Sequence, residues 1–234
     1  MRPIVFDLDG TLVDTAPDLI STLNFVLGGE GLPSMADEDA RRLIGGGARR
    51  MIERALLVQG REPPANEVDR MYRAFIEHYA AHIADRSRPF PQLDSVLKRL
   101  AADGFRLAVC TNKLEWLAVR LLDTLNLSRH FAAICGPDTF GVEKPDPQML
   151  RLTIRRVGGE PQQAIMVGDS RTDVGTARAA NVPIIAVDFG YSEVPIATLH
   201  PDRLISSFTE LPAAIATIGI PARTAAPLAG SNAP

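Results

Sequence analysis

Two carboxylates flanking one apolar residue close the first short hydrophobic run of this chain: Ile4-Val5-Phe6 leads into Asp7-Leu8-Asp9-Gly10-Thr11. Side chains i and i+2 of an extended strand point to the same side, so the spacing predicts that Asp7 and Asp9 face one way at the strand's end. Gly10 permits the sharp turn that must follow. Two like charges this close call for a cation or for displaced pKa values. Asp and Gly are also ordinary turn formers, so this stretch alone leaves a plain acidic turn open.

Three further segments carry similar groups. Thr111-Asn112-Lys113 follows the apolar run Leu107–Cys110, Lys144-Pro145-Asp146-Pro147 sits after another, and Gly168-Asp169-Ser170 ends the run Ala164–Val167, with Asp173 one turn onward. Taken singly, each has a structural reading. Thr111-Asn112 could cap a helix, Lys144 could be a solvated charge, and Gly168-Asp169 could be a strand-to-helix turn. Taken together they bring hydroxyl, ammonium and carboxylate groups to one sheet edge, where α/β proteins bind ligands. Asp7, Asp9, Asp169 and Asp173 would concentrate negative charge, and hard oxygen ligands with room for water suit Mg²⁺. A phosphate beside such an ion would be held by Lys144, the Thr111 hydroxyl and backbone amides at strand and helix ends. With no Ser–His pair in view, a metal-flanked Asp is the natural nucleophile for phosphoryl transfer.

Two kinds of element must position these groups. From Pro89 onward, short apolar runs near 106–110, 132–135, 164–167, 183–187 and 203–205 alternate with helical stretches near 92–103, 114–126, 147–157 and 172–180. That alternation predicts an α/β fold with a mainly parallel sheet covered on both faces. Residues 15–88 are lysine-free and read as all helical, with apolar periodicity from Asp18 to Leu27, a short helix from Asp37 to Leu43, a Gly45-Gly46-Gly47 break, and helices at Met51–Val58 and Glu67–Ala84. The predicted organisation is a discontinuous core (1–14 and 89–220) with an inserted helical domain (15–88). The tail 221–234, rich in Pro and small residues, has little to bury.

Composition narrows the function. The chain has 234 residues, a formal charge of −3 and 46% hydrophobic residues, enough for one ordinary core. Mild acidity argues against a nucleic-acid binder, so an anionic substrate needs local positive charge. Only three lysines occur, Lys98, Lys113 and Lys144. Cys110 and Cys135 lie in apolar runs and read as buried thiols, which suits a cytoplasmic protein, and no run approaches membrane-spanning length. His78 and His82 stand four apart but lack a third ligand and read as a solvated face, while Trp116 reads as a core residue.

Asp7-Leu8-Asp9-Gly10-Thr11, Thr111, Lys144 and Gly168-Asp169-Ser170 with Asp173 resemble, in order, the four signature motifs of the haloacid dehalogenase superfamily of phosphatases. The resemblance implies a Rossmann-like core with a helical cap inserted after the first strand. It implies that Asp7 attacks phosphorus, that Asp9 protonates the leaving oxygen and then activates water, and that Lys144 and Mg²⁺ stabilise charge. It assigns the metal to the Asp7 carboxylate, the Asp9 backbone carbonyl and Asp169, with Asp173 and Ser170 behind them. Asp9 separates the chain from the superfamily's dehalogenases, and the absence of a cap lysine from its phosphonate-cleaving branch.

Phe6–Pro17, Leu43–Arg50, Asp138–Val142 and Phe189–Glu193 are further similar to the phosphoglycolate phosphatase group, with Pro137 departing from an expected glycine. So small a substrate needs a second anion contact from a closing cap, and the Gly46 loop with Arg49 beside it is the best receptor in the sequence. Thr111, Asn112, Gly46 and Arg49 are thus the expected substrate contacts. The expected partner is a small phosphate ester, with no nucleic acid or membrane; a homodimer is compatible with this. A sugar phosphomutase is the alternative enzyme and a non-catalytic phosphate-binding module a third reading. Release of inorganic phosphate separates the first from both.

Overall fold

The computed structural model describes residues 2–219. The predicted tail, 221–234, lies outside them. The elements in chain order are β1 (Arg2–Phe6), β2 (Val13–Asp14), α1 (Ala16–Gly29), α2 (Asp37–Arg41), α3 (Ala48–Val58), α4 (Ala65–Ala81), β3 (Arg88–Pro89), α5 (Leu93–Ala102), β4 (Phe105–Cys110), α6 (Glu115–Thr124), β5 (Ala133–Cys135), α7 (Pro137–Phe140), α8 (Pro147–Arg156), β6 (Ile165–Gly168), α9 (Arg171–Ala180), β7 (Ile184–Val187), β8 (Arg203–Ile205) and α10 (Leu211–Thr217).

Six strands form a parallel sheet in the order β5-β4-β1-β6-β7-β8. Strand β1 sits between β4 and β6, with Phe6 in register with Val109 and Val167. The order runs outward from β1 in both directions, which opens a crevice at its carboxyl end. Alternation along β1 separates two apolar layers. Ile4 and Phe6 pack with α5, α6 and α10, whereas Val5 packs with Met149, Leu150 and Ile154 of α8 and Val174 and Ala177 of α9. The sheet is therefore covered on both faces, as the sequence pattern predicts.

Between β2 and β3 the chain is wholly helical. Strands β2 and β3 form a two-residue antiparallel ladder, Val13 opposite Pro89 and Asp14 opposite Arg88, too short to leave a periodic signal in the sequence. Helix α4 buries Val68, Met71, Phe75 and Tyr79, a stripe at helical spacing. The buried Asp18 carboxylate of α1 accepts from Ser87 Oγ at 2.6 Å, from Ser87 N–H at 2.7 Å and from Arg86 N–H at 3.1 Å. It thus clasps the returning chain just before β3.

Two expectations change. Trp116 is 45% exposed, because α6 turns Leu117, Ala118, Leu121 and Leu122 inward and leaves 116 on the outer side. His78 is tied to Thr22 Oγ1 at 3.1 Å and stacked on Phe25, so it is a packed residue rather than a solvated one. His82 pairs with Asp85 at 2.7 Å in an exposed position. Both cysteines are free and buried. Among the described residues no helix is long and apolar enough to cross a membrane.

Candidate active site

The polar segments converge at the carboxyl edge of the sheet. Asp7 follows β1, and its N–H donates to the Val167 carbonyl of β6 at 2.9 Å, extending the ladder by one step. Both contacts to its carboxylate fall on Oδ1, from Leu8 N–H at 2.7 Å and Lys144 Nζ at 2.8 Å. Lys144 also pairs with Asp173 Oδ1 at 2.7 Å. The other oxygen of Asp173 accepts from Ser170 Oγ at 2.6 Å and Ser170 N–H at 3.1 Å, closing the first turn of α9 as a capping box. Asp169 accepts from Thr11 Oγ1 at 2.7 Å and from Tyr191 N–H at 2.7 Å. Gly10, at φ +82°, passes so close that a Cβ there would collide with the Asp169 carboxylate.

Asp9 lies beyond the strand, so contacts other than strand pairing fix its side chain. Strand β1 ends at Phe6 and the chain turns at Leu8, so alternation no longer governs residue 9. Asp9 Oδ1 instead accepts from Thr15 Oγ1 at 2.7 Å and pairs with Lys113 Nζ at 3.0 Å. Asp7 and Asp9 nonetheless line one cavity of about 60 Å³, enclosed by Thr111, Lys113 and Lys144 below and by Gly45, Gly47, Met51, Tyr72 and Tyr79 of the helical segment above.

Buried oxygens of Asp7, Asp169 and Asp173 lie within 4.8 Å of one another. Burial, then repulsion from Asp173, raises the Asp7 pKa well above the ordinary carboxylate value, with Lys144 opposing. The same causes push Asp169 up to about 7. Burial disfavours the Lys144 ammonium, but Asp173 and Asp7 outweigh it and hold its pKa above the usual lysine value. A single ammonium among three carboxylates leaves excess negative charge, a donor set that fits a hard divalent cation.

The sequence-predicted residues separate into two groups. Asp7, Asp9, Thr111, Lys144, Asp169, Ser170 and Asp173 gather at this mouth; Thr111 Oγ1 accepts from Lys113 N–H at 3.2 Å. Asn112 lines the cavity, but its amide is spent on Lys144, donating to the carbonyl at 2.9 Å and accepting from the N–H at 2.8 Å. It therefore fixes the loop that carries Lys144. Gly46 and Arg49 are not on the cavity wall. Arg49 pairs with Asp69 at 2.6 Å and lies over the Tyr72 ring, because the first turn of α3 points its long side chains along the surface. The loop approaches through Gly47 instead, at φ +84°, where a Cβ would lie 3.1 Å from the Asn112 carbonyl oxygen.

Sequence pattern assigned no site role to Thr15, Tyr79, Lys113 or Tyr191. Tyr191 donates to Asp14 Oδ1 at 2.5 Å, accepts from Ala16 N–H at 3.0 Å, and joins Asp169 to the start of α1. Lys113 had a readable signal, since lysines are scarce in this chain.

Comparison with known proteins gives a consistent picture. A family profile for haloacid dehalogenase-like hydrolases matches residues 4–187. A phosphoglycolate phosphatase of Mesorhizobium japonicum is 47% identical over 90% of this chain and 93% of its own length. One from Agrobacterium fabrum is 48% identical over 90% and 91%. The crystal structure of a predicted phosphoglycolate phosphatase from Haemophilus somnus superposes with a TM-score of 0.81 at 28% identity, covering 91% of this chain and 97% of that one.

Proposed function

The chain belongs to the haloacid dehalogenase-like hydrolases and is a hydrolase of phosphoric monoesters; from that premise we propose that it is a Mg²⁺-dependent phosphatase acting on 2-phosphoglycolate through an aspartyl-phosphate. The observation that carries this reading is Lys144 Nζ, held 2.8 Å from Asp7 and 2.7 Å from Asp173 within a buried acidic cluster. The phosphatase relatives support the substrate.

Asp7, Asp169 and the Asp9 carbonyl would hold Mg²⁺, which when bound offsets the carboxylate and phosphate charge. With Oδ1 fixed by Leu8 N–H and Lys144, Asp7 Oδ2 is the oxygen that attacks phosphorus. The bond from phosphorus to the ester oxygen breaks, and the Asp9 carboxyl passes its proton to that oxygen. The resulting Asp9 carboxylate takes a proton from water, which attacks phosphorus and frees phosphate and Asp7. Lys144 stabilises the charge on the transferring group, and Thr111 binds its oxygens. Asp173 and Ser170 hold Lys144 and the turn in place. In this reading residues 15–88 are a cap on a core formed by 1–14 and 89–220, and closure excludes water.

A phosphate-release screen over small esters, with Mg²⁺ and with chelator, tests the proposal. The expected result is Mg²⁺-dependent release with the highest kcat/KM on 2-phosphoglycolate. Isomerisation of a sugar phosphate without release, or no turnover of any ester, would overturn it.

A further inference from the structure

Lys113 takes no part in the steps above, yet among the described residues lining the cavity it carries the second positive charge beside Lys144. Its side chain is 5% exposed. Its Nζ lies 3.0 Å from Asp9 Oδ1, donates to Tyr79 Oη at 2.9 Å and sits 4.2 Å from the centre of the Tyr79 ring. Burying an ammonium is costly unless partners compensate, and Asp9 and Tyr79 together supply that compensation. Tyr79 ends the buried stripe of α4, so helix packing carries its hydroxyl to the core. Because Tyr79 Oη accepts from Lys113, its own proton remains to be donated. Two adjacent donors, one cationic and from the core, the other from α4, thus line the cavity.

The position matters chemically. If Asp9 protonates the ester oxygen, that oxygen rests at Asp9 during the first step. In a phosphorylated 2-hydroxy acid, a single carbon separates that oxygen from the carboxylate. A carboxylate so placed falls next to Asp9, which is where Lys113 stands. Other cations nearby are committed elsewhere: Arg49 to Asp69, Arg50 to Glu143 and Arg54 to Glu193, each at 2.6 Å, and none of them lines the cavity.

We propose that Lys113 and Tyr79 form the receptor for the substrate's carboxylate, and so set the preference for small phosphate esters that carry a carboxylate on the phosphorylated carbon. This rests on, and deepens, the phosphatase reading above. Lys113 binds from the core and Tyr79 from the cap, so the same contact couples substrate recognition to closure.

The test compares kcat/KM for 2-phosphoglycolate and for ethyl phosphate, which replaces the carboxylate by a methyl group, in the wild type, Lys113→Met and Tyr79→Phe. The wild type should prefer 2-phosphoglycolate. Lys113→Met should reduce that preference by about 100-fold or more, since a site built to bind a polar group discriminates strongly against its absence. Tyr79→Phe keeps the ring packing and should reduce it by about tenfold, mainly through KM. Equal losses on both esters would overturn the receptor and leave Lys113 acting only through Asp9. If Lys113→Met fails to fold, Tyr79→Phe decides by the same ratio. A wild type that hydrolyses both esters equally would instead sink the 2-phosphoglycolate assignment, and the receptor with it.

Discussion

At the mouth of the sheet, Asp7, Lys144, Asp169 and Asp173 are each less than a tenth exposed and bonded to one another or to backbone; on α3, Arg49, Arg50 and Arg54 remain 38–45% exposed and each pairs with one carboxylate. The two regions hold charge under opposite conditions. In the core, removing one member strands others in a low dielectric, so the groups act as a unit. On the helices, water replaces a lost partner, so the pairs are nearly independent and weak. Charge count is similar in the two places; burial decides which set can do chemistry and which can only adjust docking.

Lys144→Met should separate the regions most sharply. It leaves Asp7, Asp169 and Asp173 without their ammonium, and the expected cost is about 3–5 kcal/mol of stability, read by denaturant unfolding of metal-free protein. Turnover should fall by about 10²- to 10³-fold. A loss below 1 kcal/mol would mean that the acidic cluster does not depend on Lys144.

Metal addition should act on the core alone. At about 100 times its Kd, Mg²⁺ should stabilise the protein by about 2.7 kcal/mol, measured as a rise in Tm. The pH dependence has a definite sign. Asp169 has a folded-state pKa raised to about 7, so between the ordinary carboxylate value and 7 the folded chain holds a proton that the unfolded chain has lost. Metal-free stability should therefore decline as pH rises through that window. Metal must displace the same proton, so affinity should increase with pH across that window. Calorimetric titration with Mg²⁺ across this range checks both; affinity falling with pH would contradict the site.

Smaller effects belong to the junction and the helical surface. Asp18→Asn weakens the buried clasp on Arg86 and Ser87 and should cost about 1–3 kcal/mol without altering the chemistry of the core. Arg50→Ala should cost about 0–1 kcal/mol, a difference that vanishes in high salt. Thermal unfolding at two ionic strengths measures it. A salt-insensitive loss of several kcal/mol would place Arg50 among the core groups after all.

The same contrast explains what could be read from the sequence. The strands fall near their predicted positions because a parallel sheet buried on both faces leaves unbroken apolar runs, and each run ends in polar residues that have no place inside a sheet. Asp7, Thr111 and Asp169 stand out for that reason, and Lys144 because lysines are scarce in this chain. Arg49 misleads because a glycine-rich loop beside arginines looks the same whether the side chains turn inward or toward Asp69. Tyr79 is hidden within an ordinary amphipathic stripe, and its role depends on Lys113, which approaches from a strand end 34 residues away. Asp9 illustrates a third limit: the strand stops at Phe6, and contacts from Thr15 and Lys113, not alternation, set its direction.

In the proposed reaction Asp7 is the nucleophile that captures phosphorus. Rapid acid quenching of a single turnover with ³²P-labelled 2-phosphoglycolate, followed by peptide mapping, tests it most directly. The predicted result is transient label on Asp7 in the wild type and none in Asp7→Asn, which should fold normally and release no phosphate. Label on a different side chain, or phosphate release by Asp7→Asn at the wild-type rate, would contradict it.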